Sequence, residues 1–91
     1  MSQNETTQEL LEFPCHYEYK VFGPGDDHDF VAAVQSVIGK IAPVSRDAMK
    51  TRASSGGKYQ CVSALVLLQN RGQLEAIYTQ LRMLPDLKYL L

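Results

Sequence analysis

The chain has 91 residues, of which 45% are hydrophobic and 21% charged, a composition typical of one globular domain. Its formal net charge of -1 and isoelectric point near 6.0 weigh against nucleic-acid binding, which usually requires a strongly basic domain. No stretch reaches the ~18 apolar residues of a membrane span, and residues 1–7 do not resemble a signal peptide. We therefore expect a cytoplasmic protein.

The charge is distributed unevenly along the chain. Residues 1–29 contain seven acids and one lysine, whereas residues 30–91 contain eight bases and three acids. An anion-binding site is therefore expected to draw mainly on the later part of the chain.

Residues 1–9 are polar, and we predict a flexible segment there, followed by a single domain over residues 10–91. Polar and apolar residues alternate from His16 to Phe22, which predicts a first strand. Gly23-Pro24-Gly25 ends this strand. Apolar residues at helical spacing between Phe30 and Ile41 then predict the first helix.

A second strand is predicted near Arg46 to Ala53. The sequence Ser54-Ser55-Gly56-Gly57 after it predicts a tight primed hairpin turn, because glycine adopts positive φ without steric cost. The third strand, Lys58 to Leu68, has one continuous apolar face. Asn70, with Gln73 three residues on, predicts a capped second helix, and a short strand follows that helix.

This order of elements predicts an α+β ferredoxin-like βαββαβ sandwich. Right-handed crossovers place both helices on one face of a four-stranded antiparallel sheet of order 4-1-3-2 and leave the other face open. Cys15 and Cys61 then lie at opposite ends of the central strands, so we predict free thiols. Neither cysteine has the CxxC spacing of a zinc site or a redox pair.

Several segments along the chain carry a family resemblance. They are Leu10-Leu11-Glu12-Phe13-Pro14, Tyr19-Lys20-Val21-Phe22-Gly23, Ser54-Ser55-Gly56-Gly57-Lys58-Tyr59, Gln73-Leu74-Glu75-Ala76-Ile77-Tyr78 and the chain end at Leu91. Together they resemble the YbeD-like family of small uncharacterised bacterial proteins. The resemblance implies an ACT-like, ferredoxin-like fold of the kind that binds small effectors, and a role as a lipoate-related regulator. It marks no catalytic centre.

The open face is expected to carry a group of cations. Lys20, Arg52 and Lys88 come from three strands, and Tyr59 stands at the start of the third strand. A bound carboxylate or phosphate would relieve repulsion between lysines on adjacent strands, and an arginine is suited to hold it by two hydrogen bonds. We take these four residues as hypothetical ligand-binding residues. The alternative is that the cations are simply solvated, with Glu18 partly neutralising them.

The same face is also expected to be more apolar than a solvated monomer usually tolerates. The hypothetical interface residues are Phe22, Leu65, Leu67 and Leu90. A second copy in a homodimer, or a protein partner, would cover them. In the alternative, the N-terminal segment covers part of the face with Leu10, Leu11 and Phe13.

The loop Gly23-Pro24-Gly25 precedes a helix, as phosphate-binding loops do. Asp26, Asp27 and Asp29 occupy that helix end and no GK[ST] follows, so the sequence favours a plain turn. By analogy with ACT-like proteins, Gly23 and Gly25 are candidates for close backbone approach of an effector. Consecutive side chains point in different directions from a helix, so no metal site is predicted at these acids.

Two function classes known for this fold fit the residues poorly. RNA-recognition domains place three aromatics on the third strand, where only Tyr59 is present, and acylphosphatases need an arginine where the first helix begins with acids. Without a paired acid and base or an activated nucleophile, we predict no enzyme and no cofactor. The sequence favours a small regulatory protein that binds a small carboxylate at the open face. The alternative is a protein-interaction module whose apolar open face binds an acidic partner.

Overall fold

The structure, a computed structural model, describes residues 11–91. The predicted flexible segment over residues 1–9 lies outside the described residues, as does Leu10. The elements follow the predicted order. They are β1 (Cys15–Pro24), α1 (Phe30–Gly39), β2 (Met49–Ala53), β3 (Tyr59–Leu68), α2 (Arg71–Arg82) and β4 (Tyr89–Leu90).

The strands form one antiparallel sheet in the order β2-β3-β1-β4, which is the predicted order 4-1-3-2 counted from the other edge. The central strands β1 and β3 have ten residues each. Apolar residues of α1 and α2 pack against one face of this sheet. The predicted α+β ferredoxin-like sandwich is therefore confirmed.

The hydrophobic core lies between the helices and the sheet. Alternation along β3 buries Val62, Ala64, Val66 and Leu68 completely, on the face that the sequence predicts. Each helix contributes one buried apolar stripe, which consists of Phe30, Val31, Val34 and Ile38 in α1 and of Leu74, Ile77 and Leu81 in α2. Burial of one large apolar side chain contributes about 1.5–3 kcal/mol, so this core is a main source of stability.

Three tyrosines pack edge to face where α2 meets β1. The ring centroids of Tyr17, Tyr19 and Tyr78 lie 4.9–6.1 Å apart. The Tyr19 hydroxyl donates to the Leu74 carbonyl at 3.1 Å, and the Tyr17 and Tyr78 hydroxyl oxygens are 2.7 Å apart. Burial raises the pKa of Tyr19 and of Tyr78 well above the usual range of a tyrosine.

Several predicted boundaries differ from the structure. The first strand continues through Gly23 and Pro24, which pair with Gln60 and Tyr59, and the third strand begins at Tyr59 rather than Lys58. The second strand begins at Met49 rather than Arg46, because Arg46–Ala48 form a single 3-10 turn. The first helix ends at Gly39 rather than Ile41, because the next residues tighten so that the Ile41 N–H donates to the Ile38 carbonyl at 2.9 Å.

The β2–β3 hairpin is not the predicted two-residue primed turn. The Ser54 N–H donates to the Tyr59 carbonyl, and the Tyr59 N–H donates to Ser54 Oγ, each at 2.9 Å. This pair closes a longer loop over residues 55–58. Gly56 and Gly57 have φ of 83° and 72°, so the expectation of positive φ at these glycines is confirmed.

The start of α2 matches its sequence signal. Asn70 Oδ1 accepts a hydrogen bond from the Gln73 N–H at 2.9 Å, which satisfies one of the unpaired donors at the helix end. Gln73 Oε1 accepts from the Gln69 N–H at 2.8 Å, one residue before the position that a capping box uses.

The two cysteines lie at opposite ends of the β1–β3 ladder. Cys15 lies opposite Leu68, and Cys61 lies opposite Phe22. Both thiols are free, and the predicted separation is confirmed.

Candidate ligand-binding site on the open sheet face

The sheet face away from the helices, here called the open face, is organised by strand register. One row across the sheet places Arg52, Cys61, Phe22 and Tyr89 side by side. The next row places Lys50, Ser63, Lys20 and Leu91 side by side. Basic and aromatic residues therefore share one half of this face.

An aromatic cleft with a volume of about 380 Å³ lies at one end of the open face. It is lined by Phe22, Ser54, Tyr59, Lys88 and Tyr89. The strand order places Phe22 of β1 between Tyr59 of β3 and Tyr89 of β4. The Phe22 and Tyr89 ring centroids are 6.0 Å apart. The cleft therefore has ring surface on all three strands.

The structure brings together only part of the predicted cation site. Tyr59 and Lys88 both line the aromatic cleft. Lys20 lies opposite Leu91 rather than beside Lys88, and its Nζ is 3.8 Å from Glu18 Oε1. The partial neutralisation of the cations by Glu18, which the sequence suggests, is thus present, although such exposed pairs contribute at most about 1 kcal/mol.

Arg52 lies outside the cleft. It is exposed on the outer strand β2 and pairs with Cys61, which separates it from Phe22. Lys50 occupies the row of Lys20, although it is not one of the site residues predicted from the sequence. The two-residue spacing between Lys50 and Arg52 was the signal that both point to the same face.

The structure gives the predicted approach glycines a role in packing. A Cβ placed on Gly23 would meet the Phe30 ring, and one placed on Gly25 would overlap the Gly57 carbonyl. The Gly25 N–H also donates to the Lys58 carbonyl at 2.9 Å. Backbone contacts require glycine at position 25, whereas a side chain at position 23 would have to displace the Phe30 ring; neither glycine lines the aromatic cleft.

Of the predicted interface residues, Leu65 and Leu67 lie on the open face with 47% and 41% of their surface exposed. They lie opposite Glu18 and His16, at the end of the face away from the aromatic cleft, and we call this pair the leucine end. Phe22 belongs to the cleft instead.

The placement of Leu90 on the open face is wrong. Leu90 lies opposite Val21 and packs against the core, whereas Tyr89 lies opposite Phe22 and is 61% exposed. The alternation of β4 is therefore shifted by one residue from the predicted one. Lys88 still lines the cleft because it precedes the strand, where its N–H donates to the Phe22 carbonyl at 2.8 Å.

The structure does not support the alternative in which Leu11 and Phe13 of the N-terminal segment cover the open face. Leu11 and Phe13 are partly buried and pack against the hydrophobic core. Leu10, the third residue of that alternative, lies outside the described residues.

Three other features of residues 11–91 bear on function: metal-binding groups, membrane-spanning helices and a second surface depression. No group of three or more His, Cys, Asp or Glu side chains in this range is placed to hold a metal ion. None of the helices in this range has the length and apolar character needed to cross a membrane. A second depression, near α1 and the segment before β4, is lined by Asp27, Asp29 and Asp86 and is therefore acidic.

The chain is similar to small proteins of several bacteria. A UPF0250 protein of Chromobacterium violaceum is 34% identical over 89 residues, which cover 97% of this chain and 99% of that protein. A UPF0250 protein of Shewanella piezotolerans is 38% identical over 87 residues, which cover 91% of this chain and 92% of that protein.

The fold is similar to that of protein HP0495 from H. pylori, whose solution structure is known. The two structures superimpose with a TM-score of 0.75, over 100% of this chain and 96% of that one. Their sequences are 13% identical, so this likeness supports the fold alone.

The profile of the family described as "Protein of unknown function (DUF493)" matches residues 8–91. This range includes the whole sandwich and every residue of the aromatic cleft. It also agrees with the YbeD-like resemblance that the sequence segments carry. The chain therefore belongs to the DUF493 family of small bacterial proteins, as the UPF0250 relatives also indicate.

Proposed function

We propose that this protein is a small non-enzymatic regulator that binds a small carboxylate effector in the aromatic cleft. One observation carries the proposal: the cleft combines the ring surfaces of Phe22, Tyr59 and Tyr89 with the Lys88 ammonium group, and among residues 11–91 no acidic side chain lines it. A mostly apolar cleft with a few placed polar groups is the usual form of a small-molecule site. Lys88 binds the carboxylate by a charge-assisted hydrogen bond.

Ser54 supplies the second polar group of the cleft. Its Oγ accepts the Tyr59 N–H at 2.9 Å, which orients the hydroxyl. The hydroxyl retains its own proton, which it can donate to a ligand. Lys88 and Ser54 thus offer donors for both oxygens of a carboxylate.

The effector acts on β4, which forms one side of the cleft. This strand has only two residues, and backbone hydrogen bonds pair Leu91 with Lys20 and Lys88 with Phe22 around it. A ligand that contacts both Tyr59 and the β4 side favours the state in which β4 is docked on β1. Such a ligand shifts the population only through its higher affinity for that state.

The YbeD-like resemblance adds a more specific suggestion. It implies a lipoate-related ligand, so lipoate and octanoate belong in the first set of compounds to be tested. Both carry the carboxylate that the proposed site requires.

The thermal unfolding midpoint of the full chain tests this proposal. We expect a binding carboxylate at 100 times its Kd to add about 2.7 kcal/mol, which is a shift of roughly 10 °C or more for a chain of this size. Lys88→Gln should reduce the shift strongly, because it removes the charged donor. Lys20 and Arg52 lie outside the cleft, so Lys20→Ala and Arg52→Ala should reduce the ligand-induced shift less than Lys88→Gln does.

Lys40→Gln is the matched control for Lys88→Gln, since Lys40 is exposed just after α1 in the helical layer. It should leave the ligand-induced shift unchanged. No shift with any carboxylate, or equal losses in the Lys88 and Lys40 variants, would contradict the proposal.

The leucine end favours a second candidate function, a protein-interaction module. Leu65 and Leu67 remain exposed, and Lys20, Lys50 and Arg52 lie on the same face. An exposed apolar patch rimmed by charged residues is typical of a protein-binding surface. Under this alternative, a second copy or an acidic partner covers the leucine end and no small ligand is involved.

A further inference from the structure

The open face separates the ring-bearing side chains of the aromatic cleft from the two exposed leucines of β3. Within the described part of the chain, the apolar side chains that line the aromatic cleft are those of Phe22, Tyr59 and Tyr89. Leu65 and Leu67 lie at the other end of β3. The two outer rings are accessible, since Tyr59 is 38% and Tyr89 61% exposed. The surface of the cleft is therefore aromatic rather than aliphatic.

The charges around these rings are positive. Lys88 lines the cleft, and Lys58 Nζ lies 5.4 Å from the centre of the Tyr59 ring. Arg52 lies in the row of Phe22, on the far side of Cys61. Glu18 is about 13 Å along β1 from Phe22 and is paired with Lys20. The cleft is therefore complementary to an anion.

We infer that the effector carries a flat ring, which stacks on the ring surface formed by Phe22, Tyr59 and Tyr89, and an anionic group that contacts Lys88. The inference rests on the proposed function and narrows its ligand class. Stacked or edge-on contacts between rings are favourable beyond the area that they bury. The cleft volume of about 380 Å³ is at the lower end of the range for small-molecule sites, which suits a molecule of one or two rings.

The distribution of rings argues for a single stacking unit rather than a strand of nucleic acid. Single-stranded nucleic acids bind along grooves in which successive bases stack on successive aromatic side chains. Here the rings occupy one end of the face, and the other end carries Leu65, Leu67 and Glu18. The shared chemistry is a flat ring with an anion, which an aromatic carboxylate and a nucleoside monophosphate both possess.

NMR titration of the full chain tests the inference with matched probes. The probes are 2-naphthoate as the aromatic carboxylate, octanoate as the aliphatic carboxylate, adenosine monophosphate as the phosphate with a flat base, and adenosine as its neutral analogue. We expect at least one of the two ring-bearing anions to bind about tenfold or more tightly than octanoate. The NMR signals of the protein that change when this anion binds should be confined to the residues around Phe22, Tyr59 and Tyr89.

Variants separate stacking from simple apolar contact. Tyr89→Leu keeps an apolar side chain but removes the ring, and we expect the affinity for the bound ring-bearing anion to fall about tenfold. The affinity of the Tyr89→Leu variant for octanoate should equal that of the wild type. Tyr89→Phe keeps the ring and should retain binding. Tyr89 is largely exposed at the sheet edge, so neither change removes a core contact.

The outcomes distinguish this inference from the broader proposal. If octanoate binds in the cleft as tightly as 2-naphthoate and adenosine monophosphate do, the flat-ring inference is overturned while the carboxylate proposal stands. If only adenosine monophosphate binds, the flat-ring inference stands and the carboxylate proposal is overturned. Binding of adenosine as tightly as its monophosphate would overturn the role of the anionic group. Signal changes at the leucine end, or no binding by any probe, would overturn both.

Discussion

At the scale of single residues, the tyrosines of the core differ from those of the open face. Tyr19 and Tyr78 are held in the core by ring contacts and hydroxyl hydrogen bonds, whereas Tyr59 and Tyr89 present ring surface outward. The same residue type therefore supports stability on one side of the sheet and offers binding surface on the other. For Tyr19, Tyr59 and Tyr89 the side of the sheet follows from strand alternation, which sends neighbouring side chains to opposite faces, whereas Tyr78 reaches the core from α2.

The core tyrosines predict a loss of stability in alkali. Burial raises the pKa of Tyr19 and Tyr78 above the value of about 10 expected in the unfolded chain. The unfolded state therefore releases these protons first, and the free energy of unfolding falls as the pH rises above about 10. Denaturant unfolding at a series of pH values measures this slope.

Variants identify the source of that slope. Tyr78→Phe removes one of the two titrating hydroxyl groups and should make the alkaline decline less steep. The matched control, Tyr89→Phe on the open face, should keep the wild-type slope. An identical slope in the wild type and in the Tyr78 variant would show that Tyr78 does not contribute to the alkaline decline.

At the scale of elements, the end of β1 is locked to the β2–β3 loop. Gly25 packs against the Gly57 carbonyl and donates its N–H to Lys58. Gln60 adds to this connection, because its Nε2 donates to the Pro24 and Asp27 carbonyls at 2.8 Å each. The loop that carries Ser54 and Tyr59 into the cleft is thus positioned by the strand that carries Phe22.

We expect Gly25→Ala to destabilise the protein by about 1–3 kcal/mol, because the added methyl group overlaps backbone that cannot rotate away. Gly39→Ala is the matched control. Gly39 ends α1, and apart from its own helix and chain neighbours no heavy atom of residues 11–91 lies within 4 Å of an added Cβ. The change should therefore be neutral or stabilise by up to about 1 kcal/mol. Denaturant unfolding with no ligand present measures the free energy of unfolding of both variants. A fully stable Gly25 variant that loses only ligand binding would instead support the original expectation of effector contact at this glycine.

At the scale of the whole molecule, the leucine end predicts association through the open face. If a second copy covers this surface, Leu65→Asp places a charge in the interface and should shift the protein toward the monomer. Met83→Asp is the matched control, since Met83 is 70% exposed at the end of α2, away from the sheet. Sedimentation velocity over a range of concentrations measures the assembly state.

Each result has a defined meaning for the second candidate function. Dissociation in the Leu65 variant alone supports an interface at the leucine end. A wild-type protein that stays monomeric at every concentration rules out a second copy as the occupant. The interaction module then requires an acidic partner, and charge reversal at Lys50 should weaken that contact.

The sequence by itself determined the sandwich and the composition of its core. The long strand β3 and the two amphipathic helices each contain enough periods of alternation or helical spacing to define one apolar face. The cap at Asn70 and the positive φ of Gly56 and Gly57 were also readable, because each depends on a few neighbouring residues. Local rules suffice where the partner of a residue lies nearby in the chain.

Only the tertiary structure decided the candidate site. β4 has two residues, too few to define its own alternation, so its pairing with β1 determined that Tyr89 rather than Leu90 faces outward. The aromatic cleft joins residues of β1, β3 and β4 with the β2–β3 loop, and strand register sets which of them meet. The same register separates Lys20 from Lys88. Contacts between distant segments depend on pairing energies summed over whole strands, which no local pattern of residues contains.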